Sequence, residues 1–239
     1  MIDLLLRWFA KFSLWLRYRV RTVGMEKIAA GGTRGILFLP NHPALIDPII
    51  LGTVLHKTFR ARFLADEEQI DRVFIRRLAR RVNVIPIPDP AKVGAAARQA
   101  VEAGLEKCVE ALRNGDNVTL YPAGQILRGR LTNLRGNSAV QFILGRLPDV
   151  RVVLVRTTGL WGSLFSYAPG RVPNVTEVMR KAVVSLLAGG VVFMPRRKVT
   201  IEFHEPDDLP RRGERQELNR YLETFCNTGA PPATYVPYS

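Results

Sequence analysis

Cysteine is close to absent: Cys108 and Cys226 are the only two in 239 residues, too few for a disulfide framework and with no metal-ligand spacing around them. A reducing compartment is the expectation. Long hydrophobic runs are missing as well, since no stretch reaches the roughly 20 charge-free residues that a bilayer-spanning helix needs. Nor does the N-terminus carry the uninterrupted apolar core and cleavage site of a signal peptide. Negative charge is in deficit. With 35 Lys and Arg against 21 Asp and Glu the net charge is +14, which calls for an anionic partner: nucleic acid, an anionic membrane surface, a phosphate-bearing substrate or an acidic carrier protein. Nucleic acid is the weakest of these, because the chain has no zinc-ligand spacing, no aromatic-rich RNA-binding signature and no long Lys/Arg run. No nucleic-acid partner is expected.

What the chain does have is 47% hydrophobic composition, enough at this length for one sizeable core. The clearest local signal is Leu37-Phe38-Leu39-Pro40-Asn41-His42-Pro43-Ala44-Leu45-Ile46-Asp47-Pro48. An apolar run that stops at a proline reads as a buried strand delivering the next side chains to the rim of a sheet, where sites gather. His42 and Asp47 are the chemistry-bearing residues there. Asp47-Pro48 before Ile49-Ile50-Leu51 also reads as an N-cap with proline in the first helical turn. Two compatible roles for Asp47 stay open at this point: helix cap, and partner of one ring nitrogen of His42 that leaves the other free as a general base.

Asn41-His42, four residues, then Asp47 resembles the first signature of the glycerophospholipid acyltransferases, the family that includes 1-acylglycerol-3-phosphate acyltransferase. Leu120-Tyr121-Pro122-Ala123-Gly124-Gln125 resembles its third signature, and the likeness covers roughly residues 30–160. The resemblance implies an O-acyltransferase in which His42 and Asp47 deprotonate an acceptor hydroxyl that attacks the thioester of acyl-CoA or acyl carrier protein directly. No cofactor beyond that acyl donor is implied, and no metal. It also implies a lysophospholipid-type acceptor, with Asn41, Pro122, Gly124, Gln125, Arg128 and Arg130 as substrate-binding residues. The third signature keeps its shape residues and loses its charges: Ala123 and Ile126 stand where the family places a Glu and an Arg. Arg128, Arg130 or Arg135 replaces the lost cation, or the three form an ordinary solvated face. The second signature is almost missing, with Asp89 at a position that is usually cationic. Gly124 lets backbone N–H groups approach a ligand and is a candidate for oxyanion stabilisation.

Taken in order, residues 1–23 mix Trp8, Phe9, Phe12 and Trp15 with Arg7, Lys11, Arg17, Arg19 and Arg21. This reads as a basic amphipathic helix lying in a membrane interface, giving a peripheral or monotopic protein on the cytoplasmic face. Expected strands cover Gly35–Pro40, Arg60–Ala65, Val82–Pro88, Val118–Tyr121, Val150–Thr157 and an alternating edge strand Lys198–Phe203. Expected helices cover Pro48–His56, Asp66–Arg81, residues 91–113 (ended by Asn114-Gly115), a segment entered at Arg135–Ala139, and Glu214–Asn227. Ala182–Pro195 is uncharged and reads as core packing or as a wall of an acyl-chain groove. Strands alternating with helices predict an α/β fold: a single domain with a mixed, mostly parallel sheet flanked by helices, plus the N-terminal amphipathic helix. The expected division is 1–28 membrane-associating helix, 29–228 acyltransferase domain and 229–239 Pro-rich tail. The family also occurs fused ahead of acyl-activating, AMP-forming ligase domains, and the tail reads as the start of such a linker. The other class of function is a catalytically degenerate acyltransferase-like module that binds acyl carrier protein or lipid without turnover.

Overall fold

The computed structural model describes residues 17–66, 84–87, 95–174, 177, 180, 184 and 196–229. These form strands β1 (Tyr18–Val23), β2 (Ile36–Pro40), β3 (Arg62–Asp66), β4 (Ile85–Ile87), β5 (Val118–Thr119), β6 (Arg151–Thr158) and β7 (Arg197–His204). The helices are α1 (Met25–Ala30), α2 (Asp47–Thr58), α3 (Ala95–Arg113), α4 (Ala139–Arg146) and α5 (Arg215–Asn227). The strands make one sheet in the order β1-β7-β6-β2-β5-β3-β4. Every pairing is parallel except β6 with β7.

Why β2 lies at the centre follows from its composition. All five of its residues are buried, as a parallel strand covered on both faces requires. Leu37 and Leu39 enter one core with Val152 and Leu154 of β6, Leu105, Cys108, Val109 and Leu112 of α3, and residues of α4 and α5. Ile36 and Phe38 enter the other with Val153 and Val155 of β6 and Ile50, Leu51 and Leu55 of α2. Each fully buried Leu, Ile or Phe here contributes about 1.5–3 kcal/mol. The α3 spacing 105, 108, 109, 112 is one helical stripe, and α3 ends where Asn114-Gly115 breaks it, Gly115 taking φ 81°.

Helix α2 leaves β2 on the way to β3, while α4 leaves β5 in the opposite direction, past β2 to β6. A constant crossover hand puts two such helices on opposite faces of the sheet, as the two cores show. Neighbouring strands whose following helices depart to opposite faces open a crevice between them at the carboxyl ends, the preferred ligand position in open α/β sheets. Here those strands are β2 and β5.

Two expectations need correction. Tyr18–Val23 is strand, not the end of an amphipathic helix, and it pairs in parallel register with Arg197–Glu202. The run carries the β-branched Val20, Thr22 and Val23, Tyr18 is buried in the α2-side core, and the open edge of β7 supplies the backbone partners that this short run needs. Consequently β7 is not an edge strand. Its alternation is one of faces: Val199, Ile201 and Phe203 are buried in that core, whereas the opposite face carries Lys198 and His204, the latter stacked at 5.6 Å on Phe225 of α5. Residues 1–16, the helix expected over 67–81, Asp89, most of 182–195 and the tail from 230 lie outside the described residues.

Candidate active site

His42 stands in the loop between β2 and α2, and Tyr121 and Pro122 follow β5, so both reach the crevice between those two strands. Asp47 is the first residue of α2. The preceding Ile46 occupies the cap position, and no side-chain cap bond forms. The capping role is therefore corrected: the Asp47 side chain turns back over the loop. Its Oδ2 lies 2.7 Å from His42 Nδ1 and accepts the Ala44 N–H at 3.3 Å. Its Oδ1 accepts the Tyr121 hydroxyl at 2.7 Å. A carboxylate that accepts on both oxygens places the imidazole proton on Nδ1 and leaves Nε2 with its lone pair. The Asp47 side chain is 2% exposed and that of His42 14%, so the carboxylate is sealed and the imidazole is reachable.

Tyr121 was not distinguishable from its motif as a functional residue in the sequence, yet it touches both members of the pair. Its ring lies 4.5 Å from that of His42, tilted by 36°. Burial, then the charge of Asp47 and the hydrogen bond to it, push the phenol well above its ordinary value, so it stays a neutral donor. The available signal was a tyrosine ending an apolar strand, because a buried hydroxyl needs a partner.

The loop after β5 is tied to the His42 loop. Leu127 N–H donates to the His42 carbonyl at 2.8 Å, and further on Thr132 exchanges two hydrogen bonds with the Asn227 side chain of α5. Between these anchors Arg128, Gly129, Arg130 and Leu131 are exposed, and among the described residues Arg128, Arg130 and Arg135 form no ion pair. Gly124 has φ 66°, as a glycine-dependent turn requires, and its own N–H is donated to the Tyr121 carbonyl at 3.0 Å. That bond withdraws the Gly124 amide as an oxyanion donor. Gln125 beside it is partly exposed.

Asn41 faces elsewhere. Its side chain donates to the Thr157 carbonyl at 3.0 Å and accepts the Thr157 N–H at 2.7 Å, clamping the end of β2 to β6. With Pro122 it lines a small crevice that includes Leu39, Phe225 and Cys226 on the α5 side, whereas His42 rests on Tyr121 of the other core. The loop after β6 closes the near side, where Leu45 N–H donates to the Phe165 carbonyl at 2.9 Å. Among the described residues no group of three His, Cys, Asp or Glu side chains is placed to hold a metal ion.

A doubly covered α/β sheet here carries a histidine–carboxylate pair at its carboxyl rim, an arrangement able to accept and return a proton. A model of the acyltransferase family matches residues 19–159, more than half of the chain, and the protein belongs to that family. Among solved structures it is similar to the 1-acyl-sn-glycerophosphate (LPA) acyltransferase PlsC from Thermotoga maritima, with TM-score 0.61 and 22% identity over 93% of this chain and 75% of that one. At that identity the likeness is one of fold alone. No match was found among curated proteins.

Proposed function

We propose that this acyltransferase moves a fatty acyl group from the thioester of acyl-CoA or acyl carrier protein to the hydroxyl of a lysophospholipid-type acceptor. His42 is the general base and Asp47 its orienter. The observation that carries the reading is the Asp47 carboxylate at 2.7 Å from His42 Nδ1, with the His42 side chain 14% exposed. Nε2 takes the acceptor's hydroxyl proton as the oxygen bonds to the thioester carbonyl carbon. The tetrahedral intermediate then expels the thiolate, which recovers that proton from the imidazolium. The C–S bond is exchanged for C–O, and nothing is left on the protein.

The acceptor's head group follows from charge. A phosphate monoester carries close to two negative charges and needs clustered cations or N–H donors to replace its water. Ile126 and Asp89 stand where the family places two cations, so a zwitterionic or neutral lysolipid is the preferred acceptor over lysophosphatidic acid. The basic N-terminal segment brings the site to an anionic membrane surface at its cytoplasmic face, and among the described residues no helix is long and apolar enough to cross a membrane.

Thiol release from acyl-CoA and from acyl carrier protein, measured across a panel of lysophospholipids for the parent protein and His42→Ala, tests the reading. Loss of about 10²–10⁴ in rate with the fold retained is expected. Equal release by both proteins refutes the base. Absence of turnover with every pair would favour the degenerate binding module, and faster acylation of the monoester than of lysophosphatidylethanolamine would mean that Arg128 and Arg130 stand in for the missing charges.

A further inference from the structure

We propose that Tyr121 is a positioning residue that tunes the base: its hydroxyl draws on the Asp47 carboxylate and its ring backs the His42 imidazole, so that together they fix both the direction and the basicity of Nε2. The inference rests on His42 acting as the base and asks what sets its strength. Oδ2 of Asp47 is shared by His42 Nδ1 and the Ala44 N–H, and Oδ1 is held by the Tyr121 hydroxyl. Each donor spreads part of the carboxylate's charge, and only what remains stabilises an imidazolium. Among the described residues the titratable groups in contact with His42 are Asp47 from α2 and Tyr121 from the end of β5. The cations of the 128–130 tip are exposed to water, which screens them. Tyr121 is buried and its phenol is held in the neutral form, so the donor persists throughout the range in which an imidazole titrates.

The two contacts serve different ends. The ring, 4.5 Å from the imidazole, is a wall that keeps His42 from rotating away from Asp47. The hydroxyl prevents the Asp47 carboxylate from concentrating its charge on Nδ1–H. Without it the imidazolium becomes more stable, and at a given pH less of the imidazole is free to accept the acceptor's proton. A merely structural tyrosine would instead affect melting and leave the titration of His42 where it was.

Tyr121→Phe separates the functions, because it keeps the ring and removes one oxygen. The chain has three histidines, so the C–H signals of His42, His56 and His204 are assignable in a proton NMR titration by difference from His42→Ala. In Tyr121→Phe the His42 signals should titrate at higher pH than in the parent protein, with those of His56 and His204 unmoved. With an active donor–acceptor pair, the acid limb of kcat/KM should rise by the same amount, and kcat should fall roughly 3- to 10-fold, the scale of one hydrogen bond, at unchanged KM. A His42 titration that stays or moves downward in the folded variant overturns the proposal. The NMR arm needs no substrate, so it fails or succeeds independently of the acyl-transfer reading: an upward titration in a protein that releases no thiol would sink that reading and leave the coupling standing.

Discussion

Replacing Asp47 by Asn separates charge from geometry in this site. The carboxylate accepts from His42 and Ala44 on one oxygen and from Tyr121 on the other, whereas an amide offers one acceptor and one donor. With the amide oxygen turned to His42 and Ala44, the NH₂ meets the Tyr121 hydroxyl, which rotates to accept. All contacts are then kept and only the charge is lost. Stability should fall by about 1 kcal/mol, a melting shift of about 2–4 °C at this chain length. Turnover should fall by about 10²–10⁴, because the imidazolium formed during proton transfer loses its counter-charge. Asp47→Ala is the contrast, since it leaves three donors without an acceptor in a site where Asp47 is 1% exposed. Each orphan costs about 1–3 kcal/mol, so that variant should melt well below Asp47→Asn. Asp47→Ser supplies a good capping side chain and should be as inactive as Asn, because capping is not the role. Thiol release and thermal melting on the same preparations decide the matter. More than a tenth of the parent rate in Asp47→Asn, or equal melting of the Asn and Ala variants, would refute the reasoning.

Asn41→Leu should destabilise by about 2–4 kcal/mol, since it orphans the N–H and carbonyl of Thr157 in a buried clamp; equal denaturant midpoints would contradict that. Gly159→Ala should cost at least about 3 kcal/mol, because φ is +92° and an added Cβ would collide with the Lys198 carbonyl oxygen of β7; urea unfolding reads it. Deleting residues 1–16 should release the protein from anionic vesicles while leaving the melting transition in place, whereas deletion through Val23 should also lower it, since Tyr18–Val23 is part of the sheet. Each lost Lys or Arg near the surface weakens binding by about 1 kcal/mol. Liposome sedimentation in low and high salt distinguishes the two truncations, and undiminished binding after the shorter one would assign the membrane contact to the folded domain.

The central strands were legible in the sequence because parallel strands covered on both faces are unbroken apolar runs: Ile36–Leu39 and Val152–Val155 read as themselves. The His42–Asp47 pair was legible because it is local, five residues apart. Tyr121 lies 74 residues from Asp47 and Asn41 lies 116 from Thr157, and no local pattern encodes such partners. Strand β1 was misread for a related reason. Arg19, Val20, Arg21, Thr22 and Val23 are all exposed, so burial imposed almost no face on the run, and its basic residues continued the amphipathic pattern of the segment before it. What makes it a strand is the backbone of β7, far along the chain. The same distance effect turned Lys198–Phe203 into an apparent edge, since a strand's own alternation does not reveal whether a neighbour sits beyond it.

Strand direction has a consequence for how a lipid would arrive. Because β6 and β7 are antiparallel and β1 follows β7, β1 starts at the rim where β2 ends, three strand spacings away, or about 14 Å. The chain leading into Tyr18 therefore meets the sheet on the side of the His42 loop and not at its far end. On the proposal that the N-terminal segment binds a membrane surface, His42 would face that surface from the same rim of the sheet, and an acceptor would reach it by sideways diffusion within the leaflet. Turnover would then follow the two-dimensional density of acceptor in the membrane, falling when neutral lipid dilutes it and indifferent to how much of the same vesicle suspension is present.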